Sequence, residues 1–237
     1  MLKMPLNSPV SIDRLQVVAA KNSSPTLLYT KEDGSQVALH SKYNPEREAE
    51  QALVALSKDK EIEAALFLSP ALGYSPLALA KKNPNIPIII VEKDANWLFE
   101  AFKSLDWSPI LKHPKIVILT ECDSQIVLNI LRQYTAEKIA VFVGNGANFY
   151  EKSFYQEILA GLEQDRQKNQ VNRNTLQKFS HLWLRNSCRN LHFLAEKDGI
   201  NKYTGILTKE RLKLPFIILA AGPSLQKTLV YLKELKE

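Results

Sequence analysis

Four short apolar runs recur at nearly regular spacing, and this feature constrains the fold more than any other. The runs begin 23, 28 and 23 residues apart and span Ala65–Ser69, Ile88–Glu92, Ile116–Thr120 and Ile139–Val143. Each is apolar at consecutive positions, as strands covered on both faces must be, and each precedes a helical stretch. This spacing is typical of successive βα units. We therefore predict an α/β fold whose residues 61–150 form a Rossmann-like, doubly wound and mostly parallel sheet.

The N-terminal residues 1–60 carry the pattern of a β-hairpin followed by a helix. Two β-rich runs between residues 26 and 41 flank Asp33-Gly34, a dipeptide that strongly favours a hairpin turn. Pro45 is suited to the first turn of a helix, where Glu46 and Glu48 meet the positive end of the helix dipole. We predict a hairpin arm that leads into this helix.

The C-terminal third changes character. The pattern of residues 151–212 predicts a helical connector with two apolar stripes, separated by a polar stretch at 163–170 that is either an exposed midsection or a break. A fifth apolar run, Phe216–Ala221, precedes Gly222-Pro223-Ser224. We predict that residues 213–237 form the first βα unit of a further α/β domain, which would be truncated at Glu237.

Composition excludes several classes of protein. The 237 residues are 45% hydrophobic and 24% charged, as expected of a globular chain with a substantial core. No apolar run reaches the roughly 18 residues of a membrane span, and the N-terminus lacks the pattern of a secretory signal. The two cysteines are too few for a disulfide framework. We therefore expect a cytoplasmic protein without a membrane span.

The net charge of +6 is concentrated in the C-terminal part, because acidic and basic residues balance over residues 1–150. A basic stretch without intervening acidic residues runs from Arg166 to Arg189. It is either a solvated helix face or a contact surface for an acidic partner, as in a non-enzymatic interaction module. Nucleic acid is not expected, since no base-reading module accompanies the stretch.

The first βα turn of the sheet holds half of a nucleotide-binding signal. Gly73 is its only glycine, and Glu92 lies 19 residues further on, where a carboxylate usually holds ribose hydroxyls. The turn is either structural or binds a nucleotide or S-adenosylmethionine, the latter in a methyltransferase-like enzyme. Gly144 and Asn145 follow another strand at the same sheet edge, in a loop that is either functional or a turn requiring positive φ.

A second candidate site lies at Gly222, Pro223 and Ser224. A glycine between a buried strand and a helix N-terminus lets a phosphate approach free amides, and Ser224 adds a hydroxyl donor. A plain strand-to-helix turn fits equally well. No catalytic set can be assembled from the sequence, and no metal site is expected because His181, Cys188 and His192 lack further ligands.

Several of these segments resemble, in order and spacing, the motility accessory factor (Maf) glycosyltransferases. Leu72-Gly73-Tyr74 and Val91–Asp94 are similar to that family's GLGY turn and acidic strand end, and Ala220–Leu225 to the opening of its MptE-like (6-hydroxymethylpterin pyrophosphokinase-like) domain. The N-terminal similarity rests on Tyr29, Asp33-Gly34, Leu39–Pro45 and Glu48-Ala49, and a further one on Arg185-Asn186 and Asn190-Leu191.

The resemblance implies transfer of a nonulosonic (sialic-acid-like) sugar from a CMP-activated donor to Ser/Thr residues of flagellin. Gly222, Pro223 and Ser224 would line the nucleotide pocket, as a similar turn does in bacterial sialyltransferases. Ser69–Gly73 is poorer in glycine than the family's turn. We expect the 237-residue chain to act as a scaffold or acceptor-docking module without transferase activity of its own.

Overall fold

A computed structural model describes residues 14–56 and 61–196, together with Leu225, Lys227 and Tyr231. The chain divides into two compact units, Met1–Asn174 and Thr175–Glu237. The elements are, in chain order, β1 (Leu15–Ala19), β2 (Pro25–Thr30), β3 (Gln36–Ala38), α1 (Pro45–Leu56), β4 (Ala64–Leu68), α2 (Tyr74–Lys82), β5 (Ile88–Glu92), α3 (Ala95–Ser104), α4 (Ser108–Leu111), β6 (Ile116–Thr120), α5 (Ser124–Leu131), β7 (Ile139–Val143) and α6 (Lys152–Glu196).

The first unit is built around a four-stranded parallel sheet with strand order β6-β5-β4-β7. This confirms the predicted Rossmann-like α/β fold, and the predicted strand bounds differ only at β4, which begins and ends one residue earlier. The central strands β4 and β5 are buried at every residue. Alternate residues enter different cores: Phe67 and Ile90 pack on one face of the sheet, Leu66 and Ile89 on the other.

A separate three-stranded antiparallel sheet, β1-β2-β3, precedes the parallel one. It confirms the predicted hairpin: Gly34 has a φ of 79°, and Asp33 Oδ1 accepts a hydrogen bond from the Ser35 amide at 2.8 Å. Strand β1 was not predicted from the sequence, and it pairs with β2 from Leu15 opposite Tyr29 to Ala19 opposite Pro25. The arm is therefore a small sheet rather than a hairpin alone.

Helix α1 begins at Pro45, as predicted. Asn44 Oδ1 accepts a hydrogen bond from the Arg47 amide at 2.9 Å and thereby satisfies one of the free donors of the first turn. Glu46 and Glu48 lie in that turn. Buried Ala49 and Leu53 join the same core as Phe67 of β4 and Leu77 of α2, so the helix links the N-terminal sheet to the parallel sheet.

Helix α6 is continuous over 45 residues, which settles the open alternative at 163–170 in favour of an unbroken helix. Its first turns are anchored by Tyr155, Ile158 and Leu162, all buried in the core beside α5. Its later residues belong to the second unit, where Leu176 and Trp183 are exposed. Within the described ranges, no helix is both long and apolar enough to cross a bilayer.

Candidate functional site

The turn between β4 and α2 has an unusual backbone. Ser69, Ala71 and Gly73 all have positive φ, at 47°, 51° and 89°. For the two residues with a Cβ this conformation is strained, and such strain is often concentrated at functional sites. The amide of Leu72 donates to His40 Nε2 at 2.9 Å. The turn is therefore held from outside by a side chain of the N-terminal segment.

The space beside Gly73 is filled by protein. A Cβ at this position would overlap the indole ring of Trp107, which is buried, and Trp107 Nε1 donates to the Leu72 carbonyl at 3.1 Å. Ligand approach was one reason that the sequence suggested for a glycine here. The structure supplies another: tight packing against an aromatic ring from the loop before α4, together with a positive φ.

Glu92 lies at the end of β5 and is completely buried. Burial raises the pKa of its carboxyl group to about 8, although the hydrogen bond from Tyr155 acts in the opposite direction. Tyr155 Oη donates to Glu92 Oε1 at 3.0 Å and accepts from the Lys93 amide at 3.0 Å. The carboxyl group therefore holds the start of α6 against the sheet, rather than facing solvent where a ribose would lie.

The loop after β7 was expected to be functional or to need positive φ, and the second expectation is wrong. Gly144 has a φ of −72°, and the described glycines with positive φ are Gly34 and Gly73. A Cβ on Gly144 would overlap the carbonyl oxygen of Ser69, and one on Gly146 would overlap the Ser69 hydroxyl. These glycines are needed because two sheet-edge loops pack directly on each other.

A cleft of about 400 Å³ opens where this loop meets the β4–α2 turn and helix α1. It lies at the carboxyl ends of β4 and β7, on the side of β4 opposite β5. In open parallel sheets this is the switch point, where ligands most often bind. The polar residues of its lining come from four separate segments: His40, Glu48, Tyr74 with Ser75, and Asn145. We refer to it as the switch-point cleft.

The polar groups of the switch-point cleft are partly fixed by the protein itself. His40 Nε2 accepts from Leu72, so Nδ1 carries the proton, and loss of hydration lowers the pKa of His40 to about 4. The imidazole is therefore neutral near pH 7. Glu48 is exposed and its Oε2 accepts from the Ser41 amide at 2.8 Å. Tyr74 Oη donates to the Pro25 carbonyl at 2.6 Å.

The structure brings together only some of the predicted site residues. Gly144 and Asn145 line the switch-point cleft, whereas Gly73 packs on Trp107 and Glu92 is enclosed. The predicted strand Phe216–Ala221 and the nucleotide-binding candidates Gly222, Pro223 and Ser224 lie outside the described residues. Within the described ranges, no three His, Cys, Asp or Glu residues are grouped as metal ligands would be.

Two residues of the cleft, His40 and Glu48, were not connected with a pocket from the sequence. His40 entered only through the family resemblance, and Glu48 through that resemblance and as a residue favoured by the dipole of α1. Both reach the cleft through the tertiary fold, His40 by bonding to a residue 32 positions away. Local sequence pattern carries no signal for such a contact.

The basic stretch is partly occupied by internal contacts. Arg166 donates to the carbonyl oxygens of Ala136 at 3.0 Å and Ile139 at 3.2 Å. Arg173 forms an ion pair with Glu137 at 2.7 Å. Two of the basic side chains thus fasten α6 to the loop that precedes β7.

Comparisons with known proteins leave the family open. No known family's sequence profile matches the chain. An uncharacterized protein of Treponema pallidum (strain Nichols) is 24% identical over 205 residues, which cover 84% of this chain and 68% of that protein. Among solved structures, a fibrillarin/Nop5p complex is similar at 14% identity with a TM-score of 0.27, over 63% of this chain and 85% of that one.

Proposed function

We propose that this chain is the N-terminal part of a motility-associated glycosyltransferase of the Maf type, and that its Rossmann-like unit serves as a scaffold that docks the acceptor protein. The observation that carries the proposal is the convergence of the resembling segments. His40 bonds to Leu72, and the rings of His40 and Tyr74 meet edge to face at 5.1 Å. Segments that are distant in sequence thus build one wall of the switch-point cleft.

A docking role is supported by the way the usual cofactor positions are occupied. The glycine of the β4–α2 turn contacts Trp107, and the acidic residue at the end of β5 is bonded to Tyr155. A ligand that needed both positions would have to displace a buried indole and a buried carboxyl group. The same contacts weigh against the alternative of an S-adenosylmethionine-dependent enzyme.

The resemblance supplies the chemistry of the proposal. The donor would be a CMP-activated nonulosonic acid, and the acceptor a Ser or Thr hydroxyl of flagellin, in the cytoplasm. Gly222, Pro223 and Ser224 are the residues we propose for the nucleotide. Their residue types suit a phosphate, because a glycine leaves room for it and the helix N-terminus offers free amides.

The proposal is tested by deleting the gene in the source cells and measuring the intact mass of flagellin. We expect flagellin to lose its nonulosonic acid, and the native gene to restore it. A copy with Gly222→Val should fail to restore it, because the valine side chain would fill the space left for a phosphate. Flagellin of unchanged mass in the deletion strain would refute the transferase assignment.

A further inference from the structure

We propose that the edge of β7 that pairs with no other described strand binds an extended polypeptide segment by strand addition, and that the switch-point cleft receives side chains of that segment. The partner is a neutral or lysine-bearing, hydroxyl-rich stretch of the acceptor protein. Its identity as acceptor rests on the proposed function, whereas its mode of binding rests on the geometry of β7.

The hydrogen-bond ladder shows which groups of β7 face outward. The Gly144 amide donates to the Leu68 carbonyl at 2.8 Å, and the Lys138 carbonyl accepts from Glu63 at 3.0 Å. Even-numbered residues therefore face β4. Because successive residues of a strand direct their N–H and C=O groups to opposite sides, Val141 and Val143 direct theirs away from the sheet. Strand β7 has no second partner among the described strands.

Arg166 marks one end of this open edge. Its guanidinium donates to the outward-facing carbonyl of Ile139 at 3.2 Å, so the edge is capped there. The exposure of the strand then rises along its length, from buried Ile139 to Val143, which is 45% exposed. An apolar and accessible edge is what an added strand requires.

Two clefts flank the edge and meet at Val141. The switch-point cleft includes Val141, Phe142 and Val143, and a second cleft of about 370 Å³ runs from Val141 to Arg166. The open space thus follows the strand rather than forming a single enclosed chamber. An extended backbone advances about 3.3 Å per residue, so one peptide strand would match the two outward positions, Val141 and Val143.

The charge of the switch-point cleft indicates which segments it favours. Glu48 is the charged side chain of its lining, since His40 is neutral near pH 7. An acidic segment would be repelled by this carboxylate, whereas a lysine or a hydroxyl group could bond to it. The apolar floor near Phe67 and Phe142, whose rings stack at 4.5 Å, suits small aliphatic side chains between the polar ones.

The test measures binding of a fluorescein-labelled peptide of alternating threonine and valine with a lysine at each end. Val141→Pro removes an outward N–H without breaking a bond to β4, because proline is tolerated on a free edge. We expect it to weaken peptide binding about tenfold or more, the effect of losing roughly one ladder hydrogen bond. Val141→Thr keeps the N–H and should bind as the native chain does.

The opposite edge of the sheet offers a matched control. The Lys115 carbonyl accepts a hydrogen bond from the Ile88 amide, and the Glu121 amide donates one to the Lys93 carbonyl. Odd-numbered residues of β6 and its flanks therefore direct their backbone groups to β5, and Ile118 directs its own away from the sheet. Ile118→Pro therefore makes the same backbone change on the other edge. It should leave peptide binding unchanged, with melting temperatures recorded for both proline variants.

A second arm does not depend on how the variants fold. Two versions of the peptide carry N-methyl groups on alternate amides, one on the odd-numbered and one on the even-numbered residues. Only the version whose unmethylated amides face β7 should still bind the native chain. Equal binding of both versions, or undiminished binding to Val141→Pro, would overturn the proposal. So would a dimer of the native chain that Val141→Pro dissociates, because the edge would then belong to a second copy.

Failure of the strand addition and failure of the transferase assignment are distinguishable. If flagellin keeps its mass in the deletion strain but the peptide still binds the β7 edge, the docking site stands and the acceptor is another protein. If flagellin loses its sugar on deletion but Val141→Pro binds the peptide fully, the transferase stands and the strand addition is wrong.

Discussion

Replacing Glu92 with glutamine should change how stability depends on pH. The carboxyl group has a pKa of about 8 in the folded protein, raised mainly by burial, and an ordinary value of 4.5 when unfolded. Between these values the folded state holds a proton that the unfolded state has released. The free energy of unfolding therefore falls as pH rises, by about 1.4 kcal/mol per pH unit for this group.

The side-chain amide introduced by Glu92→Gln is neutral at every pH and can still accept the bond from Tyr155, so this variant should lack the slope. From pH 6 to pH 7.5, the stability of the native chain relative to the variant should drop by about 2 kcal/mol. Urea unfolding at four pH values, followed by tryptophan fluorescence, measures both proteins. The comparison cancels every other titrating group, because the two proteins share them.

Glu163→Gln, on the exposed side of α6, is the control and should run parallel to the native chain. A constant difference between the native chain and Glu92→Gln across this pH range would refute the reasoning. It would mean that the carboxyl group is ionised in the fold, with water or a cation reaching it.

Three further outcomes follow from contacts described above. Gly144→Ala should lower the free energy of unfolding by about 3 kcal/mol, because the added methyl group would overlap a backbone carbonyl. At Gly34 a Cβ meets no atom within 4 Å but the φ is positive, so Gly34→Ala should lower it by about 1 kcal/mol. Urea unfolding compares the two variants. Tyr155→Phe should cost about 1 to 3 kcal/mol, because the Lys93 amide loses its partner, and faster amide exchange there would report it. His40 has a pKa of about 4 in the folded protein and 6.5 when unfolded, so the unfolded state takes up a proton first as the pH falls, and stability should fall over that interval. His40→Gln should lack this fall when thermal unfolding is followed from pH 6.5 to 4.5.

The parallel sheet could be predicted from sequence because its strands are apolar on both faces and regularly spaced, which few other structures require. Strand β1 was missed for two reasons. Its sequence, LQVVA, lies in a half-exposed strand, and the turn that joins it to β2 has no strong sequence signal. The continuity of α6 could not be decided locally either. Arg166 bridges its polar midsection to the loop before β7, and that partner lies 30 residues away.

The candidate site was also predictable from the sequence only in part. Gly144 and Asn145 were placed at the correct sheet edge because the carboxyl ends of parallel strands share one edge. The reason for a glycine at 144 is a carbonyl of the β4–α2 turn, and the reason at 73 is an indole. Both are long-range contacts, so the sequence could indicate that the positions are special but not what fills them.

The pairing of β4 with β7 has a consequence for the order of folding. Ala64 lies opposite Ile139, so this ladder joins residues about 75 positions apart, whereas β4, β5 and β6 pair with neighbours along the chain. Long-range pairing has a larger loop-closure entropy to overcome, and we expect β7 to join last during synthesis. Until then the apolar edge of β4 has no partner on that side, so nascent chains that stop short of residue 139 should be the ones most prone to aggregate.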